Sequence, residues 1–156
     1  MALALISTAS QIGLYATVLM ADQDDELVSV TAVAESFAVS QNHVAKVLQR
    51  LVRGGILRSV RGAHGGYALE IEADKLTMAQ VVEAIDGPFS TPCFGCEGRL
   101  GGACGHFASC VVRDVLTAIG SKFIKEMRTT TIATLARRGR QRKNPDVDVS
   151  CLRRGG

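Results

Sequence analysis

The chain has 156 residues, of which 47% are apolar, and a formal net charge of +3. This length supports one sizeable core with an extension, and no uninterrupted apolar run is long enough to span a membrane. The apolar first twenty residues lack the basic segment of a signal peptide, so we expect a core helix there and a cytoplasmic protein. Clustered cysteines in that reducing compartment favour metal binding over structural disulfides.

The positive charge is concentrated in one part of the chain. Residues 36–69 contain no Asp or Glu but hold five basic side chains, Lys46, Arg50, Arg53, Arg58 and Arg61. An acid-free basic stretch within a folded pattern is typical of a surface that contacts phosphates, whereas a solvated face normally mixes both signs. The segment 137–156 is also basic and poor in apolar residues, so we expect a disordered tail.

The first half of the chain has the pattern of a helix-turn-helix. Helical spacing of apolar residues predicts a first helix over 8–21 and a second over 32–37. Ser40 has the position of an N-cap, and the helix that follows keeps an apolar face over 44–51 before the glycine pair at 54–55. Two short helices joined by a tight turn, the second opening with polar residues, predict this motif.

Two short strands follow, at 56–60 and 67–71, with a glycine-rich hairpin tip at 61–66 between them. A helix-turn-helix followed directly by a β-hairpin is a winged helix. Thr77 and Gln80 then form a capping box that starts a further helix.

The C-terminal part of the chain is helical in pattern. A longer helix over 111–127 repeats four apolar residues at spacings of three and four: Leu116, Ile119, Phe123 and Met127. Because a loop separates it from the core, this helix buries its stripe either on its own domain or against a second copy of the chain. A short last helix is expected through Ala136.

The expected fold class is mainly α with a small β-hairpin wing. A winged helix-turn-helix domain occupies 1–88, and a cysteine-rich cluster-binding loop occupies 89–110. A long C-terminal dimerisation helix and the short terminal helix fill 111–136, and the basic tail completes the chain at 137–156.

The candidate DNA contacts come from the second helix of the motif and from the wing. The first residues of such a helix face base edges; here they are Ser40, Gln41, Asn42, His43, Lys46 and Arg50. Gln and Asn can pair bidentately with adenine, whereas Lys46 and Arg50 are suited to phosphates. Ser40 could equally be a cap with no role in DNA binding. Arg61 and His64 at the wing tip are placed for the minor groove or its flanking phosphates.

Four of the five cysteines fall within 18 residues, as Cys93-x2-Cys96-x7-Cys104-x5-Cys110. Thiolates are ligands for zinc and for iron–sulfur clusters, and the nearby glycines let the backbone fold tightly around a bulky cofactor. Cys93-x2-Cys96 is a common zinc half-site, although Cys104-x5-Cys110 is wider than the usual pair. A thiol–disulfide sensor is the third interpretation, and Cys151 is expected to be incidental.

Two segments carry a family resemblance. SQNHVAKVLQRL at 40–51 and VRGAHGGYAL at 60–69, followed by the cysteine loop and a long helix, resemble the Rrf-type transcription regulators, the family of NsrR, IscR and RirA. The resemblance implies a homodimeric winged-helix repressor whose long C-terminal helices cross, with an iron–sulfur cluster that sets the affinity for DNA. The pair Asn42 and His43, with Lys46, is closer to the nitric-oxide-sensing and iron-sensing branches than to the IscR branch.

The resemblance also implies three cluster ligands, which its spacing places at Cys96, Cys104 and Cys110. For the fourth ligand the sequence departs from the family. The histidine of IscR-like members is replaced by Arg113, and the partner-subunit aspartate of some nitric oxide sensors has Gln11, a poor iron ligand, as its nearest match. Cys93 is the preferred fourth ligand, His106 is an alternative, and the cluster is either 2Fe–2S or 4Fe–4S.

The sequence therefore predicts a DNA-binding transcription regulator, expected to be a repressor. Its dimer binds a double-stranded operator under control of a cluster that senses nitric oxide, iron or redox state. The alternative is a cytoplasmic iron–sulfur or zinc protein whose cysteine site is structural or carries electrons, but such a protein would not need an acid-free recognition helix and wing. We expect no enzyme, because the sequence has no nucleophile–base pair, paired carboxylates or phosphate-binding loop.

Overall fold

The computed structural model describes residues 6–23, 27–62, 65–89 and 110–141. Within these ranges the elements follow in the order α1 (Thr8–Ala21), α2 (Val30–Phe37), α3 (Gln41–Arg53), β1 (Leu57–Val60), β2 (Gly66–Leu69), α4 (Met78–Asp86), α5 (Val111–Thr129) and α6 (Ile132–Gln141). This architecture, mainly helical with one antiparallel hairpin, confirms the predicted winged-helix fold class.

The helix-turn-helix is formed by α2 and α3. α2 begins earlier than predicted, because the Ser29 side chain caps it by accepting a hydrogen bond of 3.0 Å from the Ala32 amide. It ends at Phe37, and the next residue, Ala38, is left-handed with a φ of 52°. The chain reverses there, and Ser40 caps α3 by accepting a hydrogen bond from the His43 amide. The predicted N-cap is therefore confirmed.

The wing consists of β1 and β2. They pair antiparallel, with Leu57 opposite Leu69 and Val60 opposite Gly66. Both strands are shorter than predicted. Ile56 is buried just outside the ladder, where its carbonyl oxygen still accepts a hydrogen bond of 2.9 Å from the Glu70 amide.

A third extended segment, which the sequence did not indicate, joins this hairpin. Val28 pairs with Tyr67 in an isolated antiparallel bridge through two backbone hydrogen bonds of 2.9 Å. Next to it, a Cβ on Gly66 would lie 2.9 Å from the Val28 carbonyl oxygen. Glycine is needed for this close approach, so the base of the wing is fixed against the segment that leads into α2.

The hydrophobic core includes buried side chains from every described helix, among them Ile12 of α1 and Met127 of α5. Its fully buried aliphatic side chains are Val28, Val33, Val44, Val47, Leu48, Leu51, Leu76, Val81, Val82 and Ile132. Burying each of them contributes roughly 1.5–3 kcal/mol before entropy is counted. α1 packs closely on α4, since a Cβ on Gly13 would overlap Cδ1 of Ile85. α3, the second helix of the motif, is held firmly on the body of the domain by its buried apolar face.

Backbone hydrogen bonds join the start of α4 to the link between α5 and α6. The Met78 amide donates to the Thr130 carbonyl oxygen at 2.9 Å. The Ile132 amide donates to the Leu76 carbonyl oxygen at 2.8 Å, and an isolated bridge at Thr77 lies between these bonds. The C-terminal end of α5 is therefore attached to the winged helix by main-chain pairing as well as by packing.

The last helix is longer than predicted. α6 runs through Gln141 and does not end at Ala136, so the first residues of the expected disordered tail are helical. This extension is stabilised by an ion pair of 2.8 Å between Arg140 Nη1 and Asp22 Oδ1 at the end of α1. The sequence did not predict this ion pair, because the acidic partner of Arg140 lies far away in the chain. Residues 142–156 lie outside the described part of the chain.

α5 begins at the predicted Val111 and runs two residues past the predicted end at Met127. The boundaries of α1, α3 and α4 agree with the sequence. α1 spans the predicted residues 8–21, and Thr77 and Gln80 form the predicted capping box of α4. Among the described residues, no helix combines the length and the apolar character needed to cross a membrane.

Candidate nucleic-acid interface and cysteine loop

α3 buries one face and exposes the other. Its buried side chains are Val44, Val47, Leu48 and Leu51. The predicted recognition residues on this helix are all exposed: Gln41, Asn42, His43, Lys46 and Arg50. Gln49 and Arg53 are exposed as well and were not among the predicted contacts. Both lie at helical spacing from Lys46, and this spacing could have predicted that they share its exposed face.

Ser40 has a structural role at the start of α3. Its Oγ accepts a hydrogen bond of 3.2 Å from the His43 amide, which has no partner within the helix. The cap fixes the first turn, which carries Gln41 and Asn42. Whether Ser40 also contacts DNA stays a prediction.

Arg50 differs from the other basic residues on this helix. Its Nη1 donates a hydrogen bond of 3.4 Å to the Ile85 carbonyl oxygen, so the guanidinium lies against the C-terminal end of α4. The last carbonyl groups of a helix lack partners within it, and a cation near them is favourable. Its predicted contact with phosphate stays a prediction.

The wing and the start of α2 frame a polar cleft of about 520 Å³. Its lining includes Ser29, Gln49, Ser59, Arg61 and Tyr67. Arg61 is exposed, as a contact with DNA requires, while His64 lies outside the described residues. Ser29, Gln49 and Ser59 were not predicted as part of the site, although the cap position of Ser29 could have indicated where α2 begins.

Exposed cations dominate the charge of this surface. Lys46, Arg53, Arg58 and Arg61 are all exposed, and the chain holds no acidic residue between 36 and 69. Such a surface attracts phosphates and loses affinity as salt is added.

Asp86, the last residue of α4, is held by the first turn of α1. It accepts hydrogen bonds from the Ser7 amide at 3.2 Å, from Ser7 Oγ at 2.6 Å and from Ser10 Oγ at 2.7 Å. Partial burial raises the pKa of this carboxyl, but the serine hydrogen bonds and the charge of Arg50 outweigh it and hold the pKa below its ordinary value. The charged carboxylate ties the end of α4 to the start of α1.

The cysteine loop joins α4 to α5. Cys110 is half-buried and directly precedes α5, whereas the other predicted ligands lie outside the described residues: Cys93, Cys96, Cys104 and His106. The chain leaves α4 through Phe89, whose amide donates a hydrogen bond of 3.4 Å to Glu83 Oε1. The ring of Phe89 meets that of Phe123 edge-on, with 6.1 Å between centroids. Both ends of the loop are therefore anchored on helices.

Gln11 lies in a second cleft, of about 480 Å³, between α1 and α6. The lining is mostly apolar and includes Ile6, Leu14, Tyr15, Val18, Met78 and Leu135. Tyr15 is 45% exposed and stacks on Phe37 with 4.9 Å between ring centroids. Within the described residues no three His, Cys, Asp or Glu side chains are grouped as metal ligands, so the predicted ligand set stays a prediction.

Residues 6–138 match the family model of Rrf2, described as an iron-dependent transcriptional regulator. The chain belongs to the Rrf2 family. This confirms the resemblance expected from the recognition helix, the wing and the cysteine loop.

Several proteins of known structure share this Rrf2 fold. CymR (YrzC), the global cysteine regulator of B. subtilis, is 23% identical with a TM-score of 0.70. The alignment covers 85% of this chain and 96% of the CymR chain. Staphylococcus aureus CymR is 23% identical with a TM-score of 0.64, covering 83% and 96%. T. potens IscR is 19% identical with a TM-score of 0.69, covering 88% and 90%. At these identities the likeness shows the fold.

Membership of the Rrf2 family makes this chain a transcription regulator with a DNA-binding winged helix. The Rrf2 family model describes transcription regulators. That the exposed face of α3 reads DNA stays a prediction.

Proposed function

We propose that this Rrf2 protein is a homodimeric repressor whose affinity for its operator is set by an iron–sulfur cluster in the cysteine loop. The signal is nitric oxide, iron or redox state. The observation that carries the proposal is the exposed, acid-free face of α3, flanked by α2 and the wing. Such a face suits the major groove, because it offers amide groups to bases and cations to the surrounding phosphates.

The residues of this face are of two kinds, amide side chains that can contact bases and cations that can contact phosphates. Gln41 and Asn42, on the first turn of α3, can each donate to and accept from adenine in the major groove. Lys46 contributes charge, which raises affinity for any sequence and makes binding sensitive to salt. Arg61 on the wing is placed to reach the adjacent minor groove or its phosphates. Sequence choice thus rests on the first turn of α3, and general affinity rests on the cations.

The proposed dimer is supported by the uneven burial of α5. Near its C-terminal end, Ile124 and Met127 are buried on the body of the same chain. Near its N-terminal end, four apolar side chains are between 53% and 73% exposed: Val111, Val112, Val115 and Ile119. A row of exposed aliphatic side chains on one helix marks a surface that a partner covers. We assign this row, the α5 stripe, to contact with a second copy.

The apolar cleft between α1 and α6 is a suitable receptor for the α5 stripe of the second copy. It offers aliphatic and aromatic side chains, including the exposed Tyr15. Because Cys110 directly precedes α5, this arrangement would bring the cysteine loop of one copy close to Gln11 of the other. A neutral amide is a weaker iron ligand than a thiolate, which favours Cys93 as the fourth ligand.

The chemistry of the loop fits an iron–sulfur cluster. Cys96, Cys104 and Cys110 would hold it, with Cys93 completing an all-thiolate set. When bound, the cluster supplies iron that reacts with nitric oxide or changes charge on oxidation. The chain's own contribution is to anchor the loop on both sides, at Phe89 and before α5, so that a change in the loop acts on both helices.

Two experiments test the proposal. The first is a gel-shift titration on DNA from upstream of its own gene at two salt concentrations. Because several contacts with phosphates are expected, the affinity for DNA should fall steeply as salt rises, by roughly tenfold or more between 50 and 200 mM. Absence of binding, or binding that salt does not change, would contradict a DNA-reading role for α3.

The second experiment is an anaerobic absorption spectrum of freshly purified protein, titrated with nitric oxide. An iron–sulfur chromophore that changes during the titration is expected. A colourless protein with stoichiometric zinc would overturn the sensing mechanism and leave DNA binding intact.

A further inference from the structure

Arg50 joins two parts of the molecule that the proposed function needs to connect. It projects from α3, the reading helix, and its Nη1 donates to the Ile85 carbonyl oxygen at 3.4 Å. Ile85 is the second-last residue of α4, and the cysteine loop begins a few residues later. A hydrogen bond to a carbonyl of the last helical turn satisfies a group that the helix leaves without a partner.

The same end of α4 is held from the opposite side by α1. Asp86 accepts the hydrogen bonds of Ser7 and Ser10, and the charge of Arg50 acts on this carboxylate as well. α3 is also close enough that a Cβ on Gly54 would lie 3.0 Å from the Ala84 Cβ. The last turn of α4 therefore contacts both α1 and α3, and a shift of this turn would change those contacts.

The chain beyond this turn leads directly into the loop. Gly87 has a φ of 92°, a conformation that side chains rarely adopt, and Phe89 follows it. Phe89 bonds to Glu83 on α4 and packs edge-on against Phe123 on α5. Phe89 therefore links the start of the cysteine loop to α4, whose last turn bonds Arg50.

We propose that Arg50 is a positioning residue that couples the cysteine loop to the reading helix through its bond to the end of α4. The proposal rests on the proposed function, since it needs a loop that controls DNA affinity. Arg50 holds α3 in the DNA-reading orientation while the last turn of α4 is in place. When the loop rearranges, this bond is lost, and α3, which stays packed on the core, loses the contact that sets its orientation.

Coupling of this kind is reciprocal, because a loop state that changes DNA affinity requires DNA to change the loop by the same factor. Two measurements follow. One is the ratio of Kd values for a duplex from the protein's upstream DNA, measured before and after a chelator removes the loop metal. The other is the chelator concentration that removes half of the loop metal at equilibrium, with and without that duplex.

Arg53 supplies a matched control. It lies three residues after Arg50 on the exposed side of α3, carries the same charge, and makes no hydrogen bond or ion pair within the described residues. In the wild type we expect the Kd ratio to be at least about fivefold. Arg50→Gln should bring this ratio close to one, and DNA should then no longer change the chelator concentration needed to remove the metal. Arg53→Gln should weaken binding in both loop states and keep the ratio.

Arg50→Lys separates position from charge. It keeps a cation for phosphate but loses the planar group that reaches Ile85, so affinity should recover more than the ratio does. Circular dichroism establishes that each variant is folded. If Arg50→Gln keeps the wild-type ratio while losing affinity as Arg53→Gln does, Arg50 is only a phosphate contact and the inference is wrong. If the wild type itself shows a ratio of one, the cysteine loop does not control DNA affinity. The proposed function is then wrong, and so is this inference.

Discussion

The hydroxyl of Ser10 donates a hydrogen bond of 2.7 Å to Oδ2 of Asp86, and this bond ties the first turn of α1 to the last turn of α4. The positive end of one helix dipole thus meets a carboxylate that would be unfavourable at the negative end of its own helix. This contact leads to a prediction about acid stability.

Asp86→Asn should lower the free energy of unfolding by about 1 kcal/mol at pH 7, because hydrogen bonds to a charged acceptor are lost. The folded state lowers the pKa of Asp86, so its contribution is present above the unfolded carboxyl pKa of about 3.9 and is lost as pH falls through the folded value. Urea unfolding from pH 7 down to about pH 3 should show the difference between wild type and variant shrinking. Glu70→Gln, at an exposed position, is the control, and an equal pH dependence for both variants would contradict the prediction.

Ala38→Gly should stabilise the protein slightly. Ala38 is the single non-glycine residue with positive φ in the described ranges, and the left-handed conformation costs an L-residue about 1–2 kcal/mol. Glycine removes this cost but gains entropy in the unfolded chain, which leaves a net gain of roughly 0.5 kcal/mol. Ala34→Gly, at a buried helical position in α2, should instead destabilise by about 1 kcal/mol or more. Thermal unfolding of both variants checks the pair, and a loss of stability in Ala38→Gly would count against the turn geometry.

Val115→Glu should dissociate the proposed dimer. Val115 lies in the α5 stripe and is 54% exposed, so the change leaves the fold of the single chain intact while placing a charge in the interface. Thr117→Glu adds the same charge about 160° away around the helix and should leave the dimer unaffected. Sedimentation velocity distinguishes the two, and a Val115→Glu protein that stays dimeric would place the interface elsewhere.

Asn42→Ala and Lys46→Ala should weaken DNA binding in different ways. Loss of a bidentate amide contact with a base should cost about 1–3 kcal/mol on the operator and far less on unrelated DNA. Loss of the Lys46 charge should weaken both and reduce the slope of log Kd against log salt by about one. Anisotropy titrations on the two duplexes at several salt concentrations make the comparison. Equal effects of both variants on the two duplexes would mean that α3 does not read sequence in this way.

Single cysteine replacements should rank the loop thiols. Cys104→Ala is expected to remove the iron–sulfur absorption and the response of DNA binding to nitric oxide and chelators, since it deletes a proposed ligand. Cys93→Ala should weaken cluster retention if Cys93 is the fourth ligand. Cys151→Ala should change neither property. Iron content and the visible spectrum measured anaerobically give the ranking, and a Cys104→Ala protein that behaves as wild type would overturn the mechanism.

The sequence predicted the elements whose signals are local. The caps at Ser40 and Thr77 and the apolar spacing of α1 depend on residues within a few positions of one another, and each was confirmed. The same is true of the exposed residues of α3, because burying Val44 and Leu51 forces the intervening polar side chains outward.

What the sequence did not predict depends on contacts between distant residues. The pairing of Val28 with Tyr67 and the ion pair of Arg140 with Asp22 each join segments far apart in the chain. Arg50 was predicted only as a phosphate contact, because nothing in its own helix indicates that the end of α4 lies beside it. Residues that carry basic charge on a helix surface have the same local pattern whether they face DNA or another helix.

The main-chain pairing of Thr77 with Thr131 has a consequence for the DNA that the proposed dimer can use. Since main-chain hydrogen bonds attach the end of α5 to the domain, a dimer formed through α5 would leave each winged helix little freedom to rotate relative to the dimer axis. One base pair added between two half-sites turns one of them by roughly 35° about the duplex, and a rigid pair of heads cannot follow that rotation. The junction of α4, α5 and α6 would thereby determine which half-site spacing the proposed dimer can bind.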